Sequence, residues 1–184
     1  MGYLVSYFQP IVSLGETYDL SHLEPFKMEF DSVGARKTLT INVTFSNHCF
    51  SKKLSDEPTS QHVTIENTSG PKTRVFCPIR YRLSKDIPLT DIIKKMNNSA
   101  VKVFQTKSRR NWCYSIQIDD PKGPYHVFFE MRKNQNNQRK SQDLNMVVES
   151  AYHQTEEPPK LLGRMGFQML CTNVYLNKKL ATKR

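Results

Sequence analysis

Two stretches near the start of the chain alternate apolar and polar positions with a period of two. Phe26, Met28 and Phe30 alternate with Lys27, Glu29 and Asp31, and Leu39, Ile41, Val43 and Phe45 alternate with Thr40, Asn42 and Thr44. Successive side chains of a strand point to opposite faces, so each stretch reads as a strand with one buried face. The turn-rich Ser32-Val33-Gly34-Ala35 between them makes the pair a β-hairpin. Upstream, residues 3–14 are apolar but interrupted by Pro10 and followed by Gly15, which suits an edge strand or a docking arm.

Residues 51–60 and 66–72 are rich in Ser, Asp, Pro, Thr, Asn and Lys and read as loops around a short strand at 62–65. A further strand is expected over 73–81, with Pro78 placing it at an edge or cutting it short. Ser84 is suited to cap a helix that carries Asp86 and Pro88 in its first turn, with Leu89, Ile92, Ile93 and Met96 at helical spacing. Strand signals then recur over 100–106, 111–118, 125–132 and 144–152. The segments between them are 107–110, 119–123 and the apolar-free loop 133–142. After Pro158-Pro159, residues 160–180 read most simply as a C-terminal helix, with strand character over 168–176 as the alternative. The expected fold class is α+β: a central antiparallel β-sheet (a meander) with an N-terminal β-hairpin extension and a few flanking helices, in a single domain over 1–184.

Charge changes the picture more than composition does. The chain has 184 residues, 27 Lys and Arg against 17 Asp and Glu, and a formal net charge of +10. Residues 1–70 hold five basic and eight acidic residues, whereas 71–184 hold 22 and nine, so the basicity belongs to the C-terminal part. Such an excess is the footprint of a polyanionic partner, RNA or another nucleic acid, although an acidic protein partner would also be drawn to it. The four cysteines form no CxxC pair and read as reduced thiols, which suits a cytoplasmic protein. No run of about 18 apolar residues occurs, so no membrane partner is expected. No phosphate-binding glycine motif occurs among the seven scattered glycines, which argues against a nucleotide hydrolase.

Candidate chemistry comes from placing residues on faces. Strict alternation over 125–132 sets His126, Phe128, Glu130 and Arg132 on one face. Over 144–153 it sets Asn145, Val147, Glu149, Ala151 and His153 together, opposite Met146, Val148, Ser150 and Tyr152. Matched registers would bring Glu130, Arg132, Glu149 and His153 near each other, either as ordinary charged cross-strand neighbours or as a site. An imidazole, carboxylates and a guanidinium suit metal-free RNA cleavage, which needs a base, an acid and cations on the phosphate. The candidate proton-transfer residues are His48, Glu149, Tyr152 and His153. The candidate phosphate-holding residues are Arg80, Lys107, Arg109, Arg110 and Arg132, with Arg80 close to a helix start where phosphate also binds well. Trp112 and Tyr114 follow the Lys107–Arg110 cluster, but at strand spacing with Ile116 and Ile118 the indole reads first as core. His48-Cys49 are adjacent, so one of the pair would normally miss a shared site, and no metal-ligand spacing links them to another histidine. No metal and no cofactor are expected.

Two resemblances bear on these residues. Tyr18-Asp19-Leu20-Ser21-His22-Leu23, His48-Cys49-Phe50, Arg80-Tyr81-Arg82-Leu83-Ser84 and Glu149-Ser150-Ala151-Tyr152 resemble segments of small uncharacterised proteins of bacterial genomes and mobile elements. Separately, a helix followed by an antiparallel meander on a basic chain, over about residues 84–180, resembles the metal-independent ribonuclease superfamily that includes RelE-type toxins, barnase and EndoU. That second resemblance implies transesterification of RNA to a 2′,3′-cyclic phosphate. It assigns no family catalytic residue to this chain. The leading expectation is an RNA-targeting endoribonuclease acting as a bacterial toxin or antiviral defence effector; the alternative is a noncatalytic nucleic-acid-binding module, or a protein-interaction module of a phage or defence system.

Overall fold

The computed structural model describes residues 6–54, 63–65, 73–107, 111–135, 141–155, 157–180 and 182. In chain order the elements are β1 (Ile11–Ser13), β2 (Glu16–Tyr18), β3 (Phe26–Ser32), β4 (Lys37–Phe45), β5 (Ser51–Lys53), β6 (Thr64–Ile65), β7 (Arg74–Phe76), α1 (Pro78–Asp86), α2 (Leu89–Met96), β8 (Lys102–Thr106), β9 (Asn111–Asp119), β10 (Lys122–Lys133), β11 (Leu144–His153), β12 (Leu161–Gly166) and α3 (Phe167–Tyr175). Short 3-10 turns occupy Ser21–Leu23 and Asn47–Cys49.

Seven strands form the main sheet in the order β12-β8-β9-β10-β11-β4-β3. The fold is therefore mixed α and β, as expected, but it is not a simple meander with an extension. The β3–β4 hairpin is an integral part of the sheet, and β4 joins β11 in parallel, Ile41 opposite Leu144 and Phe45 opposite Val148. The expected meander survives as β8–β11, where every pairing is antiparallel. A three-stranded sheet, β5-β7-β6, and the β1–β2 ribbon stand apart from it.

One face of the main sheet supplies most of the core. Leu39, Ile41, Val43, Met146, Val148, Tyr125, Val127 and Phe129 are all sealed there, and Trp112 joins them at 1% exposed. The indole is core, as its spacing predicted. Helices α2 and α3 cover this face with Ile93, Met96, Phe167 and Leu170, and the Phe167 ring meets Phe129 edge-on at 6.0 Å. Leu89, Ile92, Ile93 and Met96 recur at helical spacing and are all buried. In α2 the acidic Asp91 stands in the first turn and Lys94 and Lys95 in the last, complementing the helix dipole.

Three local expectations are corrected. The strand expected over 73–81 stops at Phe76, because Pro78 opens α1; its fixed φ suits a first helical turn, where the missing N–H costs nothing. Ser84 caps no helix: it is buried inside α1, where its hydroxyl donates to the Tyr81 carbonyl (2.8 Å) and meets His22 Nε2 (2.8 Å). The C-terminal helix begins at Phe167 rather than at 160. Residues 161–166 form β12 instead, with Gly163 and Met165 turned inward and Met165 opposite Val103, so β12 covers what would be the bare edge of β8.

The register of β10 and β11 contains one irregularity. Phe129 faces Val148 and Phe128 faces Ser150, which leaves Glu149 unpaired in a β-bulge. The bulge changes which face every later residue of β11 takes. Tyr152 therefore shares the face of His126 and Phe128, and His153 falls opposite Tyr125 on the other side.

The connection from β11 to β12 starts on the face opposite α2 and α3. β11 ends beside the β9–β10 turn, whereas β12 begins opposite Thr106, at the other end of the sheet and four strands away. Gln154 fixes the side on which it starts: its N–H donates to the Pro124 carbonyl (2.9 Å), and its Oε1 accepts from His126 Nε2 (2.8 Å).

Candidate functional site

The site grows from the bulge. Beyond Phe45, β4 no longer accompanies β11, and the turn at Asn47–Cys49 meets the bared edge instead. Ser46 N–H donates to the Val148 carbonyl (2.9 Å) and Ser46 Oγ to the Glu149 carbonyl (2.7 Å), so the turn is clamped onto the bulge. Ser46 also caps the turn by accepting from the His48 N–H (3.1 Å).

This clamp brings His48 beside Arg74 and Arg80. Burial first, then the charges of those two guanidiniums, depress the His48 imidazole to about 4. The ring is thus neutral near pH 7, able to accept a proton but not to serve as an acid. Its neighbour Cys49 is fully buried, with its thiol pushed up to about 12, and plays the core part expected of it.

Arg80 stands in the first turn of α1. Its Nη1 donates to the carbonyls of His48 (3.2 Å) and Ser51 (3.1 Å), and its guanidinium lies 5.4 Å from the centre of the Tyr152 ring. Tyr152 in turn stacks on Phe128, with centroids 5.4 Å apart and planes at 15°. A cleft of about 740 Å³ opens here, lined among others by Lys52, Arg80, Tyr152, His153 and Gln154. Arginine over tyrosine, beside an open cleft at a helix start, suits a phosphate and an adjoining base.

Farther along the same strands lies the acidic part. Arg132 Nη2 is bonded to Glu130 Oε2 at 2.6 Å. Glu149 is half-buried and feels both groups; burial first, then the Glu130 charge, raise its carboxyl above the ordinary carboxylate range, and Arg132 partly opposes this. The expected meeting of Glu130, Arg132 and Glu149 is thus present.

His153 does not join it. The bulge turns its side chain away from Glu149, and its Nε2 meets the Lys122 carbonyl at 3.2 Å, although it still lines the cleft. Tyr152 takes the place that alternation had assigned to His153. Lys107 is exposed in the turn just past β8, and the alternation of Val103 and Gln105 carried to it sets it on the Trp112 and Phe129 side of the sheet, not with Glu130 and Arg132. Arg109 and Arg110 lie outside the described residues.

Two features escaped the sequence reading. Arg74 is buried, its Nε donating to Ser51 Oγ (2.8 Å) and its Nη2 to the Ser51 carbonyl (2.7 Å). No pattern over the expected strand 73–81 signals that Arg74 is buried. The other is a relay beneath Gln154: Ser115 Oγ meets His126 Nδ1 at 2.7 Å, and His126 Nε2 donates to Gln154 Oε1 (2.8 Å). His126 is 4% exposed, so its ring is a satisfied structural histidine. Continuing the β9–β10 register back from the turn would have revealed the Ser115 half of it.

Among the described residues no group of three or more His, Cys, Asp or Glu side chains is placed to hold a metal ion. No helix among them is long and apolar enough to cross a membrane. All four cysteines are buried free thiols.

The sequence model of the YjaZ family matches residues 10–175, from just before β1 to the last residue of α3. The chain belongs to that family. No curated protein and no solved structure matches the chain. Membership agrees with the resemblance to uncharacterised bacterial proteins, and it brings no chemistry with it. The family's span takes in both the cleft at Arg80 and the bulge at Glu149.

Proposed function

We propose that the chain is a metal-independent endoribonuclease that lays a single RNA strand along β11, acting as a bacterial toxin or defence effector in the cytoplasm. One observation carries this reading: the bulge sets a carboxyl of raised pKa beside Arg132, on a sheet face flanked at one end by the Arg80–Tyr152 cleft. In this scheme Arg80 and Arg132 hold phosphates, with Lys107, Arg109 and Arg110 adding to the basic surface. Glu149 takes the proton of a ribose 2′-hydroxyl as that oxygen attacks phosphorus. The departing 5′-oxygen takes a proton from the Tyr152 phenol, leaving a 2′,3′-cyclic phosphate and a 5′-hydroxyl end. His48, neutral and next to Arg80, serves as a secondary acceptor, and His153 shapes the cleft.

A second reading, a noncatalytic nucleic-acid-binding module, is favoured by the way both arginines are already held, Arg80 by backbone carbonyls and Arg132 by Glu130. Such prepositioned cations bind without requiring turnover.

Incubating the protein with total RNA in EDTA separates the two. The proposal expects fragments ending in cyclic phosphate, formed about 100-fold or more slowly by Glu149→Gln. Intact RNA with a salt-sensitive mobility shift would replace the first reading by the second. Neither cleavage nor a shift would overturn both.

A further inference from the structure

A groove of about 570 Å³ lies at the end of the sheet away from the Arg80 cleft. Arg132, Lys133, Asn134, Gln135, Asn145 and Asn177 line it together with Val174, so among the described residues its walls carry two cations, four carboxamides and no carboxylate. Each carboxamide offers both donors and an acceptor, the combination that the edge of an unpaired base requires, and cations supply the complement to phosphate.

The groove is built rather than incidental. Asn134 N–H donates to the Asp143 carbonyl (2.8 Å) and Asn134 Nδ2 to the Gln142 carbonyl (3.0 Å), closing the two ends of the 133–142 loop upon each other. Gln142 Nε2 donates to Asn145 Oδ1 (2.6 Å), which orients that amide. Lys133 Nζ stands 4.9 Å from the centre of the Tyr175 ring, which Lys37 approaches at 5.4 Å while paired to Asp143 at 2.6 Å. Asn177 holds φ 53 immediately past α3, a left-handed position that Asn tolerates and glycine prefers. Asn145 faces Arg132 across the β10–β11 ladder, and Arg132 is the cation that Glu149 feels.

From this arrangement we infer that the groove is a base-reading subsite for one unpaired ribonucleotide of the substrate strand, next to the phosphate at Glu149. The inference rests on the RNA reading above. Arg132 and Lys133 take the phosphate of that nucleotide, and the carboxamides of Asn145 and Asn177 take the edge of its base. The subsite thus sets which nucleotide stands beside the cleavage point.

The test uses labelled single-stranded RNA oligonucleotides that differ at one base, in EDTA, with binding followed by anisotropy at several salt concentrations. Lys133→Gln should weaken binding to all sequences alike and lower the salt slope by about one. Asn177→Gly keeps the backbone conformation and removes only the carboxamide, so it should leave the salt slope unchanged and reduce discrimination between bases about tenfold. Unchanged thermal midpoints for both variants establish that neither has lost its fold. If both bind and discriminate as the parent does, while Glu149→Gln still abolishes cleavage, the subsite is overturned and the nuclease stands. If the parent protein binds none of the oligonucleotides, both fall together.

Discussion

Phe128 and Phe129 are neighbours on β10, yet they belong to different regimes. Phe129 is sealed against Phe167 on the face covered by α2 and α3. Phe128 is half-buried on the opposite face, stacked on Tyr152 and within reach of the Arg80 cleft. On the first face every residue answers to packing, so the alternation of apolar positions is strict. On the second, one bulge and the anchor at Gln154 decide what meets what, and both lie outside any periodic pattern. The same seven strands thus present a side specified by many small agreements and a side specified by a few particular residues.

Breaking that contrast begins with its largest expected effect. Phe129→Ala should cost about 3–5 kcal/mol, measured by urea unfolding, through lost burial and an unfilled cavity. Phe128→Ala should cost clearly less. Equal losses would show that both faces are core.

The next effect is one of pH. The His48 ring titrates at about 4 in the folded chain, below the ordinary value of about 6.5 for an unfolded one. As pH falls from about 6.5 toward 4 the unfolded chain gains its proton first, so stability should fall across that window. His48→Gln should flatten this part of the curve, and a curve that keeps its slope would remove His48 from the account.

The smallest effect carries the opposite sign. Because the folded Glu149 carboxyl titrates above the ordinary range, the parent should lose stability as pH rises through the ordinary carboxylate value toward the raised one. Glu149→Gln should therefore be slightly more stable than the parent at pH 7, and the two should converge below about pH 4. Destabilisation at pH 7 would mean that the carboxylate is held by contacts that outweigh its burial.

Legibility in the sequence follows the same division. The β3–β4 hairpin and the four strands of the meander were readable because each carries an alternating, half-buried pattern. Helix α2 was readable from Leu89, Ile92, Ile93 and Met96. Helix α1 was hidden because Pro78 looks like a strand breaker and is also a helix starter. β12 was hidden because Gly163 is buried without an apolar side chain to announce it. At the candidate site, Glu149, Tyr152 and Arg80 were identifiable by chemistry, and alternation gave Glu149 its company of Glu130 and Arg132, but the approach of Arg80 to Tyr152 was not legible. A period of two carried across residue 149 gives the wrong partner at every later position, and nothing local marks the residue that breaks it. Arg74 and Gln154 act only through chain segments that approach from far away in sequence.

The parallel ladder between β4 and β11 has a consequence for the order in which the molecule forms. Its partners stand 103 positions apart, Ile41 opposite Leu144. The β3–β4 hairpin, carrying Leu39, Ile41, Val43 and Phe45, is synthesised before the strand that seals its inner edge, whose residues follow 103 positions later. Closing so long a loop costs entropy before any contact repays it, which sets such topologies among the slower folders. Until then the β4 edge stands open to neighbouring chains, so during translation the molecule passes through a window in which aggregation competes with closure of the sheet.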